Sequence, residues 1–179
     1  MNIPNFLSFV RIFSVPVFIW MVLNHHHSWA LILFITAAFT DALDGFLAKK
    51  LNQITEIGKF LDPIADKVLL ISSFVTLTIN GLIPLWITLI VVTRDMVIII
   101  GAVVFQVLTG TLRIEPLSIS KINTLLQILF IIVVLYGDLF VQPSWIFSVI
   151  LSMVTVTTIL SGVSYILIWT RKAVEIELK

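Results

Sequence analysis

An all-α membrane bundle of six transmembrane helices, with both termini cytosolic, is the fold class this sequence predicts, and three observations predict it. Of its 179 residues 59% are hydrophobic and only 12% charged, with a mean hydropathy of +1.14, a balance outside that of soluble globular chains. Six apolar runs can be laid out, each long enough to cross the ~30 Å hydrocarbon core, for which roughly 20 helical residues suffice. Lys and Arg then collect at alternate connections, as cytosolic loops require.

The first run, Phe6 to Leu23, carries Arg11 and Pro16 inside it, and no small-residue cleavage site precedes the next run. It therefore reads as a retained helix and not a removed secretory signal. The others are Trp29 to Lys50, Gly58 to Ile79, Pro84 to Leu108, Lys121 to Phe140, and Ser144 to Thr170. Polar residues, Gly or Pro break them at Asn24 to Ser28, Leu51 to Ile57, Asn80 to Ile83, Thr109 to Ser120, and Val141 to Pro143. Connections this short make residues 1–179 one domain.

Orientation follows from the basic residues. Lys49, Lys50, Lys59 and Lys67 flank the second connection, Arg113 and Lys121 the fourth, and Arg171, Lys172 and Lys179 follow the last run; the first, third and fifth connections have none. The second and fourth connections therefore face the cytosol in a cytoplasmic, inner-type membrane. Trp29, Trp86, Trp145 and Trp169 sit near run ends as interfacial anchors. His25, His26 and His27 read as a solvated loop at the outer end, since adjacent residues on a helix cannot all face one ion. Ser152, Thr155, Thr158, Ser161 and Gly162 let the last helix approach its neighbours closely. A net charge of +1 excludes a general polyanion binder and gives no sign of a nucleic-acid partner, and the absence of Cys excludes disulfide and thiol chemistry.

Chemistry concentrates between Asp41 and Asp66, in the string D-x2-D-G-x2-A-K-x8-G-x3-D-x3-D. On helices, Asp41, Asp44, Gly45 and Ala48 share one face at i, i+3, i+4, i+7, and Gly58, Asp62 and Asp66 share another at i, i+4, i+8. Four carboxylates in an apolar setting repel one another unless cations neutralise them. An all-oxygen ligand set without Cys, and without His in the stretch, suits magnesium, manganese or calcium, and several carboxylates suggest two ions. Such sites most often serve phosphoryl-type transfer. A structural ion-pair network with Lys49, Lys59 and Lys67 is the plain alternative, but burying charge without function is costly. Intramembrane carboxylates also mark ion pathways, so a cation or proton transporter is the reading of another class. Its broken helices and internal repeat are not visible here.

The string resembles the signature of the CDP-alcohol phosphatidyltransferase family, D-x2-D-G-x2-A-R-x8-G-x3-D-x3-D. Every fixed position matches except Lys49, which keeps the charge of the usual Arg but loses its bidentate fork. The resemblance covers essentially the whole chain and implies a six-helix homodimer. It also implies metal-dependent transfer of a phosphatidyl group from CDP-diacylglycerol to an acceptor hydroxyl, with release of CMP. It further implies roles: Asp41, Asp44 and Asp62 hold two divalent cations, magnesium or manganese, and Asp66 joins the second ion and serves as general base. Gly45, Ala48 and Gly58 give the nucleotide room, and Lys49 meets the diphosphate or the cytidine side. Near the N-terminus Asn5, Ser8 and Arg11 share a face at i, i+3, i+6. From the residues alone, Ser8 back-bonding with Arg11 snorkelling to head groups stands beside a ligand role; the resemblance places Asn5 and Arg11 by the donor nucleotide.

For the acceptor, Arg94 inside the fourth run, Arg113 in the following connection and Lys121 at the start of the fifth run are cations close to the membrane that suit an acceptor phosphate. Thr93-Arg94-Asp95 and the run Lys121-x2-Thr124-x2-Gln127 look like the cardiolipin synthase branch, whose acceptor is phosphatidylglycerol. Phosphatidylglycerophosphate synthases, with glycerol 3-phosphate as acceptor, carry a comparable pattern. Phosphatidylglycerol is the favoured expectation.

Overall fold

The structure, a computed structural model, describes the backbone of residues 3–51, 56–109, 117–139 and 144–177, with side chains over 9–40, 67–101, 103–104, 117–138 and 145–170. The described residues form six helices and no strand: α1 (Ile3–Leu23), α2 (His27–Leu51), α3 (Glu56–Ile79), α4 (Leu85–Thr109), α5 (Ser118–Leu139) and α6 (Ser144–Glu177). Each apolar run is a helix, with ends within a few residues of those expected. The exception is α6, which continues past Thr170 because Arg171 to Glu177, though they carry four charged residues, contain neither Gly nor Pro. Pro16 lies inside α1, which runs through it without a break.

Among the described residues two helical stretches, Ser118–Asp138 and Trp145–Thr170, are long and apolar enough by themselves to cross a membrane. The outer surface agrees with lipid as its solvent. Phe13, Trp29, Phe39 and Trp145 are each at least 64% exposed, and large exposed apolar residues recur on all six helices. In water such continuous apolar exposure would drive association.

The principal helix contacts close a ring in the order α1, α2, α5, α6, α4, α3 and back to α1, with α3 also touching α5 across it. The fourth helix therefore packs on α3 and α6. Inside the ring Phe18 lies 5.8 Å from Phe34, Phe74 stacks on Phe130 at 5.9 Å, and Phe130 meets Phe147 at 5.7 Å between ring centroids. Leu77, Ile87, Ile131 and Leu135 fill the space between these rings and are fully buried. Farther along, Gly101 of α4 opens a slot for the Trp169 ring of α6: a Cβ there would collide with the ring.

Two connections are built alike. At the end of α1 the His26 amide donates to Met21 O at 2.8 Å and the His25 amide to Val22 O at 3.1 Å, with His25 at φ 58°. At the end of α3 the Leu82 amide donates to Leu77 O at 2.9 Å and the Gly81 amide to Thr78 O at 3.0 Å, with Gly81 at φ 74°. Both are Schellman caps, in which a left-handed residue turns two amides back onto otherwise unpaired helix carbonyls.

These caps meet at one end of the bundle. Asn80 Nδ2 donates to Val22 O at 2.9 Å and lies 3.2 Å from His27 Nε2, while His27 Nδ1 bonds the Asp138 carboxylate. Because the Val22 carbonyl fixes the amide's orientation, Asn80 presents its second N–H to His27 Nε2. The ring is then the Nδ1–H tautomer, donating to Asp138. The histidine run is thus only partly the solvated loop expected: His25 and His26 are exposed, but His27 is 5% exposed and ties α2 to α3 and α5. The motif halves lie toward the other end, on the later part of α2 and the earlier part of α3.

Candidate active site

The carboxylate string falls on consecutive helices. Asp41, Asp44, Gly45, Ala48 and Lys49 are helical positions of α2, and Gly58, Asp62 and Asp66 are helical positions of α3. The helical spacing expected for each half is therefore present in the backbone. The side chains of all eight, and that of Asn5, lie outside the described residues, and so does Arg113 as a whole. Among the described residues no group of three or more His, Cys, Asp or Glu could hold a metal.

Arg11 is described and is 2% exposed, so it does not snorkel to the surface. Its carbonyl accepts the Ser14 hydroxyl at 2.6 Å, a helical back-bond. Lys121 is exposed in the first turn of α5.

Arg94 is 4% exposed and sits in a network that joins four helices. Its NH1 donates to Asp95 Oδ1 at 2.6 Å, and the same oxygen accepts Lys67 Nζ of α3 at 2.6 Å. Arg94 NH2 donates to Ser120 Oγ of α5 at 2.5 Å and to Ser161 Oγ of α6 at 2.6 Å, and Nε to Ser161 Oγ at 3.2 Å. The guanidinium carbon stands 6.0 Å from the Tyr165 ring centroid, within cation–π range. The Tyr165 hydroxyl accepts the Leu117 amide at 3.4 Å, just before α5 begins. A Cβ at Gly162 would stand 3.5 Å from Arg94 Cγ, an ordinary van der Waals contact, so the network does not depend on a glycine there.

Asp95 entered the sequence reading only within the Thr93-Arg94-Asp95 string, without a role of its own. It is fully buried and holds the two cations. Its signal was an Arg-Asp pair inside an apolar run, where an ionisable residue signals function by default. Lys67, read as an orientation charge and as a possible ion-pair partner of the motif carboxylates, pairs with Asp95 in this network. Ser161 and Thr158, read as packing residues, are hydrogen-bonded across helices: Ser161 accepts from Arg94, and Thr158 donates to Asn123 Oδ1 at 2.8 Å beside Thr157 at 2.9 Å. Next to the network, a cavity of about 480 Å³ opens between the start of α5 and α6, lined by Leu117, Ser118, Ile119, Ser164, Leu167 and Ile168.

Comparison with known proteins gives the geometry its context. A family model described as CDP-alcohol phosphatidyltransferase matches residues 1–171. A cardiolipin synthase (CMP-forming) of Streptomyces coelicolor is 37% identical over 106 residues, covering 56% of this chain and 49% of that protein. The human cardiolipin synthase (CMP-forming) is 36% identical over 183 residues, 92% of this chain and 60% of that protein. A probable phosphatidylglycerophosphate synthase of Mycobacterium tuberculosis is 33% identical over 177 residues, 92% of this chain and 80% of that protein. The chain thus spans about half to three-fifths of the length of those two cardiolipin synthases. The match over residues 1–171 and the carboxylate string on α2 and α3 lead to one conclusion: the chain belongs to the CDP-alcohol phosphatidyltransferase family.

Proposed function

We propose that this protein transfers a phosphatidyl group from CDP-diacylglycerol to an acceptor hydroxyl, releasing CMP, in the synthesis of anionic glycerophospholipids. The observation that carries this reading is the carboxylate string on the helical backbone of α2 and α3, within a chain that its family matches over residues 1–171. The donor set fits two divalent cations. Four carboxylates with no Cys in the chain form an all-oxygen set, and helical spacing puts Asp41 with Asp44, and Asp62 with Asp66, on shared faces.

Asp41, Asp44, Asp62 and Asp66 would hold magnesium or manganese. Bound there, the cations polarise the diphosphate and stabilise the charge that develops during in-line displacement. Asp66 takes the proton from the acceptor hydroxyl as general base. The hydroxyl oxygen bonds to the β-phosphorus, the bond from that phosphorus to the CMP oxygen breaks, and CMP leaves with the electron pair. Gly45, Ala48 and Gly58 leave room for the nucleotide. Lys49, Asn5 and the buried Arg11 serve the donor, and Arg113 and Lys121 the acceptor phosphate, while Arg94, expected to join them, is buried and bonded to Asp95, Ser120 and Ser161 and instead ties the surrounding helices together. The reading places six spans in a cytoplasmic membrane, the site toward the cytosol, and the protein as a homodimer.

Phosphatidylglycerol is the favoured acceptor, supported by relatives named cardiolipin synthase from a bacterium and from human. Glycerol 3-phosphate is the second reading, supported by the mycobacterial relative named probable phosphatidylglycerophosphate synthase. CMP release by the purified protein in lipid, with CDP-diacylglycerol and each acceptor offered separately, tests both. Release with phosphatidylglycerol alone is expected; release with glycerol 3-phosphate alone assigns the second reading. Release with neither overturns the proposal and favours a transporter.

A further inference from the structure

We propose that Asp95 is a positioning residue for the transfer reaction, holding Lys67 of α3 and Arg94 of α4 so that Asp66, the residue before Lys67, keeps its place against α4, α5 and α6. The inference rests on the function proposed above, and the geometry carries it in three steps.

First, one carboxylate oxygen ties the network together. Asp95 Oδ1 accepts both Lys67 Nζ and Arg94 NH1 at 2.6 Å, and Arg94 passes the connection on to Ser120 of α5 and Ser161 of α6. Second, the anchor acts on α3 at the critical point. Successive helical residues lie ~100° and ~1.5 Å apart, so pinning the Lys67 amine restrains both the rotation and the depth of α3 at Asp66. A base and metal ligand displaced by ~1 Å can slow a reaction about 100-fold.

Third, the arrangement is a poor device for stability alone. Asp95 is 0% exposed, and its Oδ2 has no hydrogen-bond partner among the described residues. A half-satisfied buried charge is costly, and apolar replacements for such clusters are often neutral or better. Retaining it is explained by what it holds in place.

The test uses full-length protein in lipid, with kcat and KM from CMP release. Asp95→Asn is expected to lower kcat at least tenfold with both substrates saturating, while the KM for CDP-diacylglycerol stays within threefold. Lys67→Met should lower kcat similarly, and the double variant should be no slower than the slower single variant, because both act through one contact. Hydrogen exchange supplies a readout apart from turnover: Asp95→Asn should speed exchange of the amides at 62–67 more than of those at 74–79. Should Asp95→Asn not fold, Asp95→Glu and Lys67→Met carry the same test.

A folded Asp95→Asn with kcat within twofold of wild type overturns the proposal, as do losses that multiply in the double variant. Unchanged exchange at 62–67 overturns it too. A wild-type protein that releases no CMP overturns the function itself and this inference with it. An active wild type beside an indifferent Asp95→Asn overturns the positioning role alone.

Discussion

Asn80 does more for this fold than its place in a turn announces. Its amide nitrogen serves both the Val22 carbonyl and His27 Nε2. Asn80→Ala leaves His27 Nε2 without its donor and Val22 O with only the His25 amide, which should lower stability by about 1–3 kcal/mol, read as a fall in the thermal unfolding midpoint in detergent. His27 could not be separated from His25 and His26 by sequence, because its partners lie 53 and 111 positions away. Asp95 was hidden for a similar reason: its partner Lys67 is 28 positions away and had another reading as a cytosolic charge. The motif residues are the opposite case, since their spacing alone put them on shared helix faces. Lys121, exposed in the first turn of α5, is proposed to serve the acceptor phosphate and not the donor. Lys121→Ala should raise the acceptor KM roughly 3- to 10-fold, as loss of a charge-assisted phosphate contact implies, with the donor KM nearly unchanged. Steady-state kinetics in each substrate checks it.

At the scale of elements, the two Schellman caps make a controlled pair. Gly81 occupies its left-handed position without a side-chain penalty, whereas His25 holds the same conformation at φ 58° with a Cβ. Gly81→Ala should therefore destabilise by about 1 kcal/mol and His25→Gly stabilise by somewhat less. Thermal unfolding of the two variants should shift in opposite directions. A Cβ at Gly81 meets nothing within 4 Å, so backbone conformation and not crowding sets the sign. Helix existence and most helix ends were legible in the sequence because apolar length and the polar, Gly and Pro breaks report them directly. The end of α6 was not, because a hydropathy run stops at Thr170 while helical backbone continues to Glu177. Nor did sequence show that Ser161 and Thr158 bind across helices, since small residues pack and hydrogen-bond with the same composition.

Across the whole molecule, the ring order sets what the sequence could not. A helix that is apolar all round does not reveal which neighbour each face meets, so the placing of α6 between α4 and α5 had no sequence signal. That order brings Ser161 of α6 and Ser120 of α5 to one guanidinium on α4, and through Asp95 to α3. The membrane character, by contrast, was legible from composition, and the apolar exterior agrees with it. The central claim is that the carboxylates on α2 and α3 drive metal-dependent release of CMP from CDP-diacylglycerol. The most direct measurement compares CMP release by wild type and Asp66→Asn in lipid, with phosphatidylglycerol or glycerol 3-phosphate, with magnesium or manganese and after chelation. The account predicts release that chelation abolishes and either metal restores, with Asp66→Asn folded, able to bind the donor, and at least 1,000-fold slower, as loss of a base that is also a metal ligand implies. Full activity in Asp66→Asn, or release unaffected by chelation, would contradict it.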